Sequence, residues 1–373
     1  MLSRTGIAVA ALMMALAVMV GVDLMIRSFR DTVEDWLEYS LPADLYVSSF
    51  VSPARRFTAG PTFEPETIAS LADIDGIAAI NTLRHFEAIV DGERARAMAM
   101  SVAPQSRSAF VFLDADADAV WSRLDAEEGV IISEALAYRR GLQRGQSVTI
   151  ESPSGSLELE VSGVFFDYSS EQGVLMMPHS LYRRLWDDPS LTAISVHLSS
   201  PADADRVKAE IVSRLDKATT ARVVSNRDLR AQSMRVFDRT FKITGVLKTL
   251  AVLVAFIGVL SSLMALQLER AREQGVLLAQ GMTPRQLWRL IFQQTGLMGL
   301  TAGLLSLPVG LAIAMIMVTV INRRSFGWTL ELQVASTPLL QTLLVGLSAA
   351  LLAGLYPAWK MSRTSLPEAL RNE

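Results

Sequence analysis

Histidines, hydroxyls and carboxylates are the usual material of a hydrolytic or metal site, and in this chain they are dispersed. The three histidines, His85, His179 and His197, stand far apart, and no H-E-x-x-H run joins any two. There is no cysteine, so a disulfide scaffold and a thiolate metal site are excluded. Asp114-Ala-Asp-Ala-Asp118 begins like a calcium loop, which needs Gly at its sixth position and Glu at its twelfth; Ala119 and Asp125 stand there instead. Acids that open a helix explain the run, because a helix N-terminus favours negative charge. Ser133-Glu134 offers a hydroxyl beside a carboxylate, but no base or oxyanion hole accompanies the pair at a recognisable spacing. No G-x-x-x-x-G-K-[ST] phosphate loop is present. The sequence therefore predicts no catalytic residue, no metal and no cofactor. Nucleotide hydrolysis would have to come from a partner.

The most informative stretch runs from Gln267 to Leu290. Glu269-Arg-Ala-Arg-Glu-Gln-Gly275 reads as a charged helix extension, and Gly281-Met-Thr-Pro284 as its break. Thr283 can cap a new helix with Pro284 at its first position. Arg285-Gln-Leu-Trp-Arg289 then forms a basic, aromatic collar of the kind found at membrane interfaces. The expectation is a short helix held between two membrane spans, suited to docking a soluble partner.

Four apolar segments are long enough to span a bilayer, which needs roughly 20 residues. They run from about Ile7 to Ile26, Thr249 to Leu266, Leu290 to Ile321 and Leu339 to Tyr356. The first exceeds the apolar core of a signal peptide, and Asp23 to Arg30 offers no small-residue cleavage site. Asp23 itself reads as an interfacial acid. The third is longer than one crossing needs, so it must tilt, extend beyond the bilayer or kink at Pro308. Gly299 and Gly303 in the third segment, and Gly346 and Ala350 in the fourth, have the spacing that lets membrane helices approach closely.

Charge sets the orientation. Ser28 to Lys242 carries a net −9, and the rest of the chain +6. That acidic block speaks against a nucleic-acid surface. Arg270, Arg272, Arg285 and Arg289 lie between the second and third spans, and Lys360, Arg363 and Arg371 in the tail. Both regions are expected in the cytoplasm, which places both termini inside and the acidic block outside. Arg323 and Arg324, after the third span, oppose that scheme and are outvoted. The outer block reads as α+β: helices from Glu64 to Ala72, from about Ser133 to Gly141 and from Pro201 to Lys217, and strands from Gln146 to Glu151 and Leu157 to Val164 around a Ser154-Gly155 turn.

The run E-R-A-R-E-Q-G-V-L-L-A-Q-G-M-T-P-R-Q-L resembles the signature loop of the FtsX-like permease superfamily, which includes the MacB and LolC/LolE permeases. Glu273, Gly275, Leu278, Ala279 and Gly281 match the family pattern, while Gln274 and Gln280 stand where apolar residues are usual. The ending from Tyr356-Pro-Ala-Trp-Lys360 to Pro367-Glu-Ala-Leu-Arg371 resembles the family's close. The run from Gly129 to Ile150, followed by Val161 to Tyr168, is similar to its extracytoplasmic domain. The resemblance implies a first span over 1–27, a MacB-like periplasmic core over 28–242, and a permease domain over 243–373 with three further spans. It implies an inner-membrane, multi-pass permease that pairs with itself or with a second permease half. It implies a separate ABC ATPase docked at Arg272, Glu273, Gly275, Leu278, Ala279 and Gly281, and ATP-driven movement of a lipid, lipoprotein or peptide-like substrate. The opening also resembles the second half of longer two-unit permeases. A regulator that switches an extracytoplasmic enzyme or sensor is the other function this signature allows.

Overall fold

The computed structural model describes residues 2–49, 62–215 and 221–362. In chain order the elements are α1 (Leu2–Ser40), β1 (Leu45–Ser48), α2 (Pro65–Ala72), β2 (Ile77–Val90), β3 (Glu93–Ser101), α3 (Ala117–Asp125), β4 (Gly129–Ser133), α4 (Glu134–Arg140), β5 (Ser147–Ser152), β6 (Gly155–Phe165), β7 (Leu175–Pro178), α5 (His179–Trp186), β8 (Ala193–Leu198), α6 (Ala204–Arg214), β9 (Arg222–Ser225), α7 (Asn226–Ala279), α8 (Pro284–Ile316), α9 (Arg323–Phe326) and α10 (Ser336–Ser362). They form two bodies. A helical body holds Met1–Arg30, Phe237–Ile321 and Leu330–Glu373, and a sheet body holds Asp31–Val236 and Asn322–Thr329.

In the sheet body the strands run in the order β3-β7-β4-β6-β5-β2-β8-β1-β9, and β3 pairs with β2 as well. Six strands, from β3 to β2, therefore close into a ring. The β2–β3 hairpin turns on Asp91 and Gly92, both at positive φ, the requirement of the tight turns that match strand twist. Alternate residues point inward, as the two-residue strand period demands. Phe86, Ala88 and Val90 of β2 thus meet Ala95, Ala97 and Ala99 of β3 and Val148 and Ile150 of β5 in one core. The small alanines of β3 leave room for Leu181 and Tyr182 of α5, which pack into the same core. β2 is 14 residues long, and its first half leaves the ring to pair with β8. There Leu45, Val47, Ile194 and Val196 pack under Leu71 of α2 and Val207 and Ile211 of α6 as a second core. The expected local signals hold: Pro65 opens α2, and Ser133 caps α4, which stops at left-handed Gly141.

Three helices among the described residues are long and apolar enough to cross a membrane: Val9–Ser40, Arg285–Phe326 and Ser336–Leu355. The small-residue spacing read from sequence is used in the helical body. A Cβ placed on Gly299 of α8 would meet the Ala350 Cβ at 2.6 Å and the Gly346 carbonyl oxygen at 3.1 Å, both in α10. A second seam joins α8 to α1, where a Cβ on Gly310 would stand 2.6 Å from the Val20 Cβ and one on Gly21 would stand 2.6 Å from Ile313. Lipid tails are as apolar as the side chains, so such backbone contacts supply the dispersion that holds membrane helices together. α8 runs on through Pro308.

Two helices differ from expectation in length. α1 continues to Ser40 as one helix of 39 residues. α7 spans 54 residues, from Asn226 through the expected second span to Ala279. The polar stretches 28–40 and 226–242 are therefore helical continuations. The charged extension expected around Gly275 is the last part of α7, since Gly275 inside a helix costs only about 1 kcal/mol, and the break falls at 281–283 as expected.

Candidate functional site

The turn between α7 and α8 is built from its own residues. Gly281 has φ +97°, a conformation glycine adopts without the Cβ penalty. The Thr283 hydroxyl accepts from the Gln286 backbone N–H at 3.4 Å, and the Gln286 side-chain oxygen accepts from the Thr283 N–H at 2.8 Å. With Pro284 next, this is a reciprocal capping box. Met282 packs against Leu287 and Ile291, each 1% exposed, which fixes the angle at which the chain enters α8. Arg272, Glu273, Gly275, Leu278 and Ala279 have helical backbone at the end of α7, and their side chains lie outside the described ones. Their spacing puts Arg272, Gly275 and Ala279 on one helix face. The Pro357 and Trp359 positions of the closing motif continue α10 as helix, and 363–373 lies outside the described residues.

The opposite end of α8 is built differently. Beyond Ile316 the chain takes a π-helical turn, Met317–Asn322, then α9, and stops at Gly327 with φ +77°. This connection, Asn322–Thr329, belongs to the sheet body. Its anchor is Glu134, the first residue of α4 and 4% exposed. Glu134 accepts from the Thr329 backbone N–H at 2.9 Å and from the Thr329 hydroxyl. Hydrogen bonds to a carboxylate are worth about 1.5–3 kcal/mol, so this pair outweighs the neutral contacts around it. Further contacts, some of them charge-assisted, surround it. Arg139 donates to the Ser325 carbonyl at 3.0 Å, and Tyr168 to the Thr329 carbonyl at 2.9 Å. Tyr168 also meets Trp328 edge-on at 5.6 Å, and Trp328 stacks on Phe326 at 5.1 Å. A Cβ on Gly327 would lie 3.0 Å from the Ala135 Cα, so the chain passes close over α4. The Arg323 guanidinium sits 5.5 Å from the Tyr138 ring. Ser133 is equally committed, accepting from the N–H groups of Leu136 and Val174. The pair considered above as a hydrolytic possibility is thus a helix cap and a clamp.

Sequence reasoning missed this clamp. The signal that could have found it was the discordant Arg323-Arg324 pair beside Phe326-Gly-Trp-Thr329, an aromatic, glycine-bearing connection too elaborate for a solvated loop.

Within each body, α1 and α7 are also tied together. In the sheet body the Asn226 side chain donates to the carbonyls of Leu41 and Ala43 at 2.6 and 2.8 Å, and Arg230 donates to the Glu38 carbonyl. In the helical body Arg30 pairs with Asp238 at 2.6 Å, and Phe29 meets the rings of Phe237 and Phe241.

Titratable groups of the sheet body are tuned for structure. Burial would raise the Asp188 carboxyl, but hydrogen bonds from Ser190 and Tyr182, together with the Arg84 charge, hold it down at about 2. Burial pushes His179 and His197 below the ordinary imidazole value, so both are stored neutral. Ser106 and His197 lie 2.6 Å apart beside Asn81, a buried polar knot that joins the turn after β3 to β2 and β8.

A MacB-like periplasmic core domain model matches residues 5–214, more than half of the chain, and an FtsX-like permease C-terminal model matches 245–366. The chain belongs to the FtsX-like permease family. An uncharacterized ABC transporter permease protein, Rv0987, of Mycobacterium tuberculosis is 40% identical over 392 residues. That alignment takes in 100% of this chain and 44% of the relative, so this permease spans less than half of that relative's length. Among solved structures, the extracellular domain of the noncanonic ABC-type transporter YknZ from Gram-positive bacteria aligns at 15% identity and TM-score 0.35, covering 49% of this chain and 98% of that one. The periplasmic region of MacB from Actinobacillus actinomycetemcomitans aligns at 13% identity and TM-score 0.37, covering 52% and 94%. Family membership rests on the two family models and the mycobacterial relative. The permease family and the three candidate membrane helices point to the plasma membrane.

Proposed function

We propose that this permease is the non-hydrolysing membrane half of an ATP-driven machine, in which force enters at the α7–α8 turn and leaves at the sheet body. In this reading the chain has four spans, with 1–27 and the three expected in 243–373 around an outer domain over 28–242. Both termini and the α7–α8 turn face the cytoplasm. A separate ABC ATPase grips the end of α7 at Arg272, Glu273, Gly275, Leu278, Ala279 and Gly281. The observation that carries the proposal is the Glu134–Thr329 clamp. In this reading the segment that follows α8 is held by a buried carboxylate of the sheet body, and displacement of α8 would be passed to α4 through it. A packed, clamped helix of this kind moves between discrete positions and transmits small shifts.

The cargo proposed is a lipid, lipoprotein or peptide-like molecule. The permease works as a pair, with itself or with a second permease half. The greater length of the mycobacterial relative supports a second unit, and α7 supports a helical seam. Val236, Ile243, Leu250 and Ile257 recur every seven residues on it and are all at least half exposed. Because the chain has no cysteine, Ile243→Cys supplies a single thiol; rapid disulfide-linked dimer formation in membranes is expected, and a strictly monomeric product counts against self-pairing.

Co-expression with a candidate ATPase tests the coupling reading. Glu273→Arg should abolish ATPase co-purification while membrane insertion persists. Undiminished co-purification, or labelling of residues near Gly275 from outside the cell, would overturn it.

A further inference from the structure

The sheet body carries a crevice that neither the clamp nor the coupling turn uses. It has a volume of about 330 Å³ and opens between α3 and α5, over the ends of β3 and β7. Its lining is mixed: Met100, Val102, Trp121, Leu124, Met176 and Pro178 are apolar, and polar residues make up the rest. Its polar groups are unbalanced toward donors. Asp125 at the margin already accepts two hydrogen bonds from Arg107, both at 2.8 Å, so its charge is answered. Arg183 at the margin is exposed and has no ion pair among the described residues. α5 begins at the crevice behind Pro178, whose side chain cannot cap, so its first-turn N–H groups have no side-chain acceptor. Trp121, 5% exposed and part of the wall, has an indole N–H with no acceptor among the described residues. A buried donor left unmatched is costly unless an acceptor arrives.

We propose that this crevice binds an apolar carboxylate. The hydrocarbon or aromatic part lies against Trp121 and Met176, and the carboxylate meets the N-terminus of α5 and Arg183. A helix N-terminus beside an arginine with no ion pair among the described residues is a ready anion site, and the six apolar lining residues offer contact to the hydrocarbon part. The volume lies at the low end of ligand cavities, roughly 300–1,000 Å³, so it suits one apolar side chain or a short acyl chain rather than a whole lipid. The shared chemistry is available from the C-terminal residue of a peptide or from a short fatty acid. The inference stands apart from the coupling reading and can fail while that reading survives.

The test uses the full chain in amphipol and fluorescence anisotropy with fluorescein-labelled Ala-Ala-Phe, once as the free acid and once as the C-terminal amide. The acid is expected to bind, with the amide weaker by about tenfold or more, as befits loss of a charge-assisted contact. Arg183→Gln should bring acid binding down to the amide's level. Arg184→Gln removes a neighbouring arginine that is paired with Glu127 at 2.5 Å, and should change nothing. Decanoate displacing the probe, with decanol inert, would assign the site to fatty acids as well as peptides; displacement by peptide acid alone assigns it to peptides. The proposal is overturned if neither carboxylate binds, if acid and amide bind alike, or if Arg183→Gln binds as well as the parent. Leu124→Trp, which fills the crevice from a wall position, should also abolish binding, and retained binding in that variant refutes the location.

Discussion

The two ends of α8 solve the same problem in opposite ways. At the α7–α8 turn, the orphan N–H groups and the entry angle are satisfied by Thr283, Gln286 and Met282, all within a few residues of the helix start. At the other end, Asn322–Thr329 takes its acceptors and packing partners from α4 and from Tyr168, more than a hundred residues away in sequence. A helix end that satisfies itself keeps its shape without help and presents its remaining surface to another molecule. An end that borrows its partners cannot move without them. The contrast fits the coupling proposed above, in which one end is gripped and the other is attached to its load.

Releasing the load should give the largest effect. Glu134→Ala removes the acceptor of two Thr329 donors and leaves the backbone N–H buried and unmatched, at a cost of about 2–3 kcal/mol. Hydrogen exchange should then rise sharply over 322–329 and little elsewhere; protection equal to the parent's would mean that the clamp does not hold. Gly327→Val adds a side chain 3.0 Å from the Ala135 Cα at positive φ, and should cost about 2 kcal/mol with the same local signature. At the self-sufficient end the penalty should be smaller. Thr283→Ala removes one cap and should cost about 1 kcal/mol, read as a modest fall in thermal stability, and a loss as large as that of Glu134→Ala would erase the contrast. The smallest effect concerns pH. His179 and His197 bind protons less readily folded than unfolded, so the stability of the sheet body should fall as pH drops below about 6.5 and level off beneath the folded values. Thermal melts at pH 7.5 and 5.5 should show a gap that narrows in the His179→Gln, His197→Gln double variant. Clamp comparisons are therefore best made above pH 7.

Local chemistry was legible in the sequence wherever a residue acts on its neighbours. Thr283-Pro284, Ser133 with Gly141, and Pro65 all carry their instructions within a turn or two, and the structure follows them. The glycine spacing of α8 and α10 was legible because membrane packing leaves few other uses for it. What was not legible depends on distant partners. Glu134 looks like any helix-opening acid, since N-terminal acids are favoured in isolation, and nothing near it names Thr329. The long continuations of α1 and α7 were hidden for another reason. Polar residues such as Arg30 and Asp238 read as the start of a separate domain, although at helical spacing they serve equally well on a continuing helix. The closed strand ring escaped prediction because β3 was not recognised: Glu93 to Ser101 alternates alanine with arginine and methionine, a weak strand signal that becomes strong only once β2 and β7 flank it.

The paired glycine seams have a mechanical corollary. With Gly310 pressed on Val20 along one side of α8 and Gly299 on Ala350 along another, turning α8 about its own axis would drive larger side chains into gaps too narrow for a methyl group. Sliding by a fraction of a turn meets the same obstacle. The three rods α1, α8 and α10 are thereby braced together, and none can slip past another without remaking its seam.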